Sequence, residues 1–369
     1  FKKGITYSSS GSKGTSFRLL PKNYLFSGGG PSITLKNEVI SLEYLMGFLN
    51  SPMSSYLLDC LNPTVNTTQG DLNRIPLVEP DKAIESEVQS LVSSNIEIAK
   101  KVQSFICYEF YFDSHPFESY GSVELRSKLL QYLSYENVLI TIQLINESLI
   151  NELIFEVYNL SENDSLQVKE SEGLSVGEYP VFQEVITAFK EAIQDSEYIT
   201  EELQEKLEQI EQDEQIIEKK EKIEEELPKL YQSNYGFEEF CIKNNVNPIN
   251  AWYWFKESGI VPQQRAHDIT LEFLADLIRE VLMEDEDGMI PLVRNAGEEV
   301  LIDRLERKMR EKGFSTAQIS HLDGLLGRPL NEYLQEYFFK ELSDHLNLFM
   351  YLPKTPFIWH LSSGPEKGF

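Results

Sequence analysis

The sequence predicts a predominantly helical α+β protein, with a small mixed strand-and-helix domain followed by a helical bundle that carries a charged helical-hairpin or coiled-coil arm. Residues 1–40 are rich in glycine, serine and aromatics and contain short alternating runs, which is typical of strands broken by turns. Most later segments have apolar residues at helical spacing. Residues 196–230 are densely charged with apolar residues three, four or seven positions apart, which indicates the arm.

The first elements can be assigned in order. Ser16–Leu20 and Tyr24–Phe26 are predicted strands. A short helix follows, with one apolar face made of Leu42, Leu45, Met46 and Leu49. Ser51 is the expected N-cap of a second helix that starts at Pro52 and ends before Asn62. A polar loop then runs to Asp71, and residues 74–78 are predicted to be extended.

The rest of the chain is predicted to be mainly helical. Amphipathic helices are expected over 81–112 and 125–158, although the apolar run 138–145 also suits a strand. Residues 161–179 have the composition of a linker, and residues 181–230 are predicted to be helical. Further helices are expected to about Tyr351, with breaks near Pro262, 288–291, 313 and 327–329, before a final strand over 356–361.

Length and composition restrict the class of protein. With 369 residues the chain is long enough for two or three domains. It begins at Phe1 rather than Met and ends at Phe369, and we expect a fragment of a longer protein. No uninterrupted apolar run reaches the length of a membrane span, so no membrane partner is expected. The three cysteines, Cys60, Cys107 and Cys241, are dispersed, which favours reduced thiols and a cytoplasmic location.

Charge is distributed unevenly. The net charge of −27 argues against general nucleic-acid binding, because phosphate contacts require Lys and Arg. Residues 1–80, however, have seven basic and five acidic residues, a balance of +2, whereas residues 196–230 have five basic and thirteen acidic residues, a balance of −8. If any part of the chain contacts DNA, the sequence indicates the front segment.

Common catalytic motifs are absent from the sequence. It contains no Walker loop, GxGxxG or HExxH motif, and no histidine pairs with cysteines or carboxylates at metal-ligand spacing. An adenine methyltransferase requires an Asn-Pro-Pro-aromatic loop to hold the flipped base. Here Asn62-Pro63 and Asn247-Pro248 are each followed by a residue other than proline. The aromatic run at Trp252–Phe255 could stack on bases, but nothing basic surrounds it and we expect core residues.

The segment 47–77 has the most informative order of motifs. A helical hairpin is followed by a polar Asn/Thr/Gln loop, a Gly-Asp step, an Ile-Pro piece and a long helix. This order resembles the target-recognition region of type I specificity subunits and fused adenine methyltransferases. Asn and Gln amides can read adenine in the major groove, and Arg or Lys can read guanine. The resemblance therefore implies DNA reading by this segment.

Eight residues are candidates for DNA contact. Four basic residues lie in the front and the others lie in or after the polar loop: Lys13, Arg18, Lys22, Lys36, Asn66, Thr68, Gln69 and Arg74. For the loop residues the alternative role is capping the turn before Leu72, which we favour for any one of them. For the basic residues the alternative is an ordinary solvated surface charge.

Two later blocks resemble the BREX phage-defence family of adenine-specific DNA methyltransferases, the phage-growth-limitation type. The first runs from the Ile-Ala-Lys helix at 95–101 through the aromatic segment 105–112 to His115-Pro116-Phe117, and continues at 151–160, where Asn159 occupies the family's glycine position. The second is the aromatic tail 356–369, with Ser-Gly-x-x-Lys-x-Phe. The matches are in order and cover about half of the chain, whereas residues 162–320 match nothing.

The resemblance implies the target-recognition and C-terminal region of a site-specific adenine methyltransferase. The expected partner is double-stranded DNA, and S-adenosyl-L-methionine is expected in a catalytic domain outside this chain, which itself holds no cofactor. The expected divisions are a DNA-reading domain (1–80), a helical spacer (81–160), a linker with an acidic arm that contacts other phage-defence proteins (161–235) and a helical C-terminal domain (236–369). Alternatives are a specificity subunit, a methylase–nuclease fusion, or an acidic interaction module that mimics DNA.

Overall fold

The computed structural model describes residues 2–11, 15–36, 39–210, 212, 217–232, 235–294 and 297–346. Most of them are helical and one small sheet lies at the front, so the predicted helical α+β class is confirmed. Two compact units are present. The first contains the described residues of Phe1–Ala99, Val138–Lys219 and Glu238–Tyr253, and the second contains those of Lys100–Asn137, Lys220–Phe237 and the chain after Tyr253. The two units are defined by packing. The four segments expected from the sequence were assigned by role, and those roles stay a prediction.

The sheet has three short strands in the order β2-β1-β3, namely β1 (Gly4–Tyr7), β2 (Phe17–Leu20) and β3 (Ser32–Ile33). Both outer strands pair antiparallel with β1. Gly4 is required where β1 and β3 approach each other, because a Cβ there would lie 2.5 Å from the carbonyl oxygen of Ile33. The strand predicted at Ser16–Leu20 is confirmed as β2. The strand predicted at Tyr24–Phe26 is wrong, because these exposed residues form a loop.

The helical hairpin follows the predicted boundaries. Helix α1 (Leu42–Asn50) buries its apolar face, and Ser51 is both its C-cap and the N-cap of α2 (Pro52–Leu61). The Asn50 side chain accepts a hydrogen bond from the Phe17 backbone N–H and donates one to the Phe17 carbonyl, both at 2.9 Å. Asn50 thereby occupies part of the free edge of β2 and attaches the sheet to α1. One turn, α3 (Gln69–Leu72), follows the polar loop, and residues 74–78 are irregular rather than a strand.

Two long helices come next. Helix α4 (Lys82–Gln103) is capped by the Asp81 carboxylate, which accepts from two backbone N–H groups at 2.9 and 3.0 Å. It ends nine residues earlier than the predicted Phe112, and turns and α5 (Pro116–Ser119) follow. Helix α6 (Leu125–Val157) settles the ambiguity at 138–145 in favour of helix. By length and composition this helix could cross a membrane, although the sequence has no uninterrupted apolar run long enough for a membrane span. However, 56% of its most apolar window is buried, as in the core helix of a folded protein.

The predicted linker at 161–179 is wrong. Helix α7 (Glu162–Glu172) occupies most of it, and a capping box between Ser161 and Asp164 starts that helix. Val168 is buried in the same core as α1 and α2, and Gln167 donates a 2.8 Å hydrogen bond to the Tyr56 hydroxyl. The Ser-x-x-Asp pattern was the available sequence signal for this helix.

The charged region forms separate helices: α8 (Gln183–Ile193), α9 (Glu201–Gln209) and α10 (Ile217–Glu226). Among the described residues they form no continuous coiled coil, because their periodic apolar residues enter the cores of the units. Leu203 and Leu207 of α9 are buried in the first unit, where Lys206 pairs with Glu152 of α6 at 2.6 Å. Leu227 and Leu230, just after α10, are buried in the second unit.

The remaining helices are α11 (Phe237–Asn244), α12 (Pro248–Ser258), α13 (Gln263–Glu284), α14 (Leu301–Glu311), α15 (Thr316–Leu326), α16 (Leu330–Glu336) and α17 (Phe338–His345). Helix α13 is the central helix of the second unit and packs against α14, α15 and α17. The predicted breaks near Pro262, 288–291, 313 and 327–329 are confirmed. The predicted final strand at 356–361 and the family-like tail lie outside the described residues.

Candidate nucleic-acid interface

The polar loop, residues 62–70, is organised around one carboxylate. The buried Asp71 Oδ2 accepts hydrogen bonds from the Asn62 side-chain amide at 2.9 Å, the Thr68 backbone N–H at 2.9 Å and the Thr68 hydroxyl at 2.7 Å. These hydrogen bonds, those from Thr68 first, hold the pKa of Asp71 below its ordinary value. Asn62 also donates to the Asn66 carbonyl at 2.9 Å, so the loop is closed from within.

The polar loop is also attached to the sheet side of the unit. Gly11 donates its backbone N–H to the Val65 carbonyl, and Thr67 donates to the Ser9 carbonyl, each at 3.0 Å. Between them, Ser10 and Asn66 form an antiparallel bridge, and the hydroxyls of Thr15 and Thr67 are hydrogen-bonded. The loop therefore has a fixed backbone at the end of the sheet where β1 finishes.

The loop candidates have different structural positions. The Thr68 hydroxyl is occupied by the capping box of α3, which is the capping role favoured for it. Asn66, Gln69 and Arg74 are exposed. In the part of the chain that the structure describes, no hydrogen bond is formed by the side-chain amides of Asn66 or Gln69. A rigid backbone thus presents two amides and a guanidinium to the outside.

The basic candidates lie elsewhere on the sheet. Because β2 and β3 are both antiparallel to β1, their C-terminal ends share one end of the sheet, about 10 Å from the other end. Lys22 follows β2 and Lys36 follows β3, so both exposed lysines belong to that end, opposite the polar loop. Arg18 is exposed within β2. Lys13 lies outside the described residues.

Sequence reasoning missed three features of this surface. Asp71, whose carboxylate holds the polar loop together, was assigned no role, although the Thr-x-x-Asp spacing of a capping box was a usable signal. Leu25 and Phe26 were assigned to a strand, yet they are 75% and 54% exposed. Finally, residues 1–37 contain six basic residues and no acidic one, a stronger contrast with the net charge of −27 than the balance over 1–80 shows.

The other candidate groups have structural positions. Trp252, Trp254 and Phe255 are each at most 4% exposed, which confirms the core assignment. His115 is buried, and its ring bonds the Ile269 carbonyl and the Phe117 N–H, while burial lowers its pKa to about 3 and keeps it neutral. Over the described ranges, no group of three or more His, Cys, Asp or Glu side chains has the geometry to hold a metal ion.

Comparison with known proteins gives two relatives. The chain is 23% identical over 380 residues to the adenine-specific methyltransferase BrxX of Escherichia coli O9:H4 (strain HS), covering 100% of this chain and 28% of that protein. It is 34% identical over 98 residues to the adenine-specific methyltransferase PglX of Lacticaseibacillus casei (strain Zhang), covering 26% of this chain and 8% of that protein. No protein-family model matches. The chain is thus a distant relative of adenine-specific methyltransferases of BREX systems and spans about a quarter or less of their length.

Proposed function

We propose that this chain recognises the DNA target of a site-specific adenine-N6 methyltransferase in phage defence. The observation that supports this most directly is the polar loop, whose backbone is held by the Asp71 carboxylate and by backbone hydrogen bonds to Ser9 and Gly11, while the amides of Asn66 and Gln69 are exposed. The side-chain amide of Asn or Gln can donate a hydrogen bond to N7 of adenine and accept one from the exocyclic amine, both in the major groove. Preorganisation limits the entropy lost on binding.

Methyl transfer belongs, in this proposal, to residues outside this chain. The sequence has no Asn-Pro-Pro-aromatic loop and no GxGxxG turn, and no catalytic step is assigned to its residues. The role proposed for this chain is to position the duplex and select the sequence. The exposed Arg18, Lys22 and Lys36 provide phosphate contacts, which set affinity and register but not sequence.

The test is selection from a random duplex library by the 369-residue chain, followed by sequencing. The wild type is expected to enrich a short motif that contains adenine. The double variant Asn66→Ala, Gln69→Ala is expected to lose preference at one or two adenines, by about 1–3 kcal/mol for each bidentate contact. Lys22→Gln with Lys36→Gln is expected to keep the motif but to bind all duplexes more weakly and with a smaller salt slope.

Matched controls separate recognition from general damage. Asn163→Ala with Gln89→Ala removes two exposed amides of the same unit, on α7 and α4, and is expected to change neither motif nor affinity. Enrichment of the same motif by the Asn66 and Gln69 variant would contradict the proposal.

The net charge of −27 supports one competing function, an acidic module that mimics DNA and contacts proteins only. The two functions differ in a single measurement. A DNA-recognition chain binds duplex at low ionic strength and loses binding when Arg18 and Lys22 are replaced by Glu. Absence of duplex binding by the wild type at low ionic strength would favour the mimic.

A further inference from the structure

The connection between β2 and β3, residues 21–31, crosses the sheet and is called here the crossover loop. The two strands lie on opposite sides of β1 and run parallel to each other, so the chain must pass β1 to join them. It passes on the side of Thr6, whose hydroxyl donates a 3.0 Å hydrogen bond to the Pro31 carbonyl. Because the opposite face of the sheet, with Ile5 and Tyr7, is packed in the core that contains α1, the crossover loop passes on the face to which Thr6 belongs.

That face is the outer one. Side chains alternate along β1, and Ile5 and Tyr7 are buried in the core that contains α1. Thr6 is thus directed away from that core. Arg18 is the direct register partner of Thr6, and opposite residues of an antiparallel pair share a face, so exposed Arg18 lies on the outer face as well.

The crossover loop is anchored at both ends of its exposed segment. Tyr24 donates its N–H to the Pro21 carbonyl at 3.3 Å, which closes a turn around Lys22. Ser27 and Gly30 exchange two backbone hydrogen bonds at 3.2 Å, and Ser9 donates to the Gly29 carbonyl at 3.1 Å. Between these anchors the side chains of Leu25 and Phe26 are 75% and 54% exposed. Leu25 and Phe26 are therefore exposed apolar side chains on a loop whose backbone is held by hydrogen bonds.

The basic residues nearest to this pair in the sequence, Arg18 and Lys22, are exposed and favour an anionic partner, whereas Lys3 pairs with Glu43 at 2.7 Å. Residues 1–37 have six basic residues and no acidic residue, although the chain as a whole has a charge of −27. An excess of positive charge would not strengthen the binding of a neutral apolar partner, whereas it would attract a polyanion. The anchors also connect the pair to the polar loop, since Ser9 accepts from Thr67 and donates to Gly29.

We propose that Leu25 and Phe26 form an apolar wedge that inserts between stacked base pairs of double-stranded DNA, with Arg18 and Lys22 holding the flanking phosphates. Apolar side chains at the tip of a DNA-binding surface can separate a base step and kink the duplex. A local kink then adds selectivity for steps that unstack easily, without a hydrogen bond to those bases. This inference rests on the proposed function, because it requires a bound duplex.

The test uses duplexes with 2-aminopurine placed at successive positions of the selected motif, because this base becomes more fluorescent when it unstacks. With wild-type chain, fluorescence is expected to rise at one step. The variant Leu25→Ser, Phe26→Ser is expected to abolish the rise and to weaken binding about tenfold at every salt concentration, since stacking is not ionic. Its salt slope should equal that of the wild type, whereas Arg18→Gln with Lys22→Gln should reduce the slope.

Leu166→Ser with Leu174→Ser is the matched control, because these leucines are also exposed in the first unit, at 56% and 42%. It is expected to leave affinity and fluorescence unchanged. If the wild type binds no duplex at low ionic strength, the proposed function fails. If it binds, but the wedge variant binds equally well with the same fluorescence rise, only the wedge is overturned. A loss of self-association in sedimentation velocity with unchanged DNA affinity would assign the pair to contacts between copies and overturn it too.

Discussion

At the scale of single residues, some polar groups of the first unit have a structural role that their residue type alone does not indicate. Asp71 is an ordinary acidic residue in the sequence, but its carboxylate joins Asn62 and Thr68 and fixes the backbone of the polar loop. Because its pKa is lowered, this contribution is present above the ordinary carboxyl pKa and is lost as the pH falls through the lower value. The proposed reading surface thus depends on a residue that need not touch DNA.

Glu147 on α6 has the opposite property. Burial raises the pKa of its carboxyl from 4.5 to about 7, and the neighbouring Glu238 raises it further, while the 3.0 Å hydrogen bond from Gln143 opposes the shift. A group whose pKa is higher in the folded state contributes its full stability below the unfolded value. That contribution is lost as the pH rises through the folded value. The first unit should therefore become less stable between about pH 5 and pH 8.5.

Glu147→Gln is expected to remove this pH dependence. At about pH 8.5 the variant should be more stable than the wild type by roughly 3 kcal/mol, and at about pH 5 the two should be similar. Urea unfolding followed by circular dichroism at both pH values measures the difference. Glu170→Gln, on the exposed side of α7, serves as the control and should show no such change. Equal effects of Glu147→Gln at both pH values would rule out the raised pKa.

At the scale of elements, the close contact between α1 and α4 depends on a glycine. A Cβ at Gly47 would lie 2.9 Å from Val88 Cγ1 and 3.1 Å from Val92 Cγ2. Both valines are buried, and β-branched side chains in a helix have one strongly preferred rotamer, so they cannot move aside at low cost. This contact decides how near α1, and the sheet that Asn50 attaches to it, lies to α4.

Gly47→Ala is expected to destabilise the protein by about 1 kcal/mol. Overpacking costs about 1–3 kcal/mol, and the better helix propensity of alanine recovers roughly 1 kcal/mol of it. Denaturant unfolding measures the net effect. Gly324→Ala in α15, where an added Cβ meets no atom within 4 Å, should stabilise its own unit instead. Val88→Ala combined with Gly47→Ala should cost less than the sum of the single changes, and strict additivity would contradict the proposed clash.

The elements that could be predicted from the sequence are those whose signals are local. Ser51-Pro52 fixed the boundary between α1 and α2, because an N-cap and a first-turn proline act within one turn. The linker at 161–179 was predicted from composition, which is insensitive to individual buried residues such as Val168, which docks α7. The crossing of β1 by the crossover loop could not be predicted, since strand order depends on contacts between residues distant in sequence. The candidates for DNA contact were chosen by residue type, but the separation of the loop amides from Lys22 and Lys36, at opposite ends of the sheet, could be seen only from the strand register.

At the scale of the whole molecule, the net charge of −27 favours expansion. Ion pairs oppose this locally, for example the exposed Arg307, which pairs with the exposed Glu299. Exposed pairs of this kind contribute only about 0–1 kcal/mol each. Self-repulsion therefore dominates the response to salt.

The midpoint of thermal unfolding is expected to rise by a few degrees when sodium chloride is added, because screening at a Debye length of about 8 Å weakens the repulsion between distant carboxylates. Circular dichroism during heating measures it, with an uncharged osmolyte at equal osmolality as the control. A falling midpoint would show that the ion pairs outweigh the repulsion.

A role of the acidic helices in binding partner proteins should be tested with point substitutions rather than with a deletion. Leu203 and Leu207 of α9 lie in the core of the first unit, and Leu227 and Leu230 lie in the core of the second. Removing residues 196–230 would therefore unfold the chain rather than test a partner. Replacement of exposed carboxylates such as Glu205 by glutamine leaves both cores intact and is the suitable way to look for partner proteins.

The interleaved construction of the first unit affects how the proposed target preference could be tested by exchange of segments. Residues 1–80 do not form a cassette, because Gly47 packs on Val88 and Ile150, and Ser41 donates its backbone N–H to the Glu85 carboxylate at 2.6 Å. If residues 1–80 were grafted as one block into a relative, the surface of α1 would no longer match the helices against which it packs. The crossover loop and the polar loop, by contrast, begin and end at backbone hydrogen bonds. A chimaera that exchanges only those two loops would retain the scaffold and test whether the proposed selectivity moves with them.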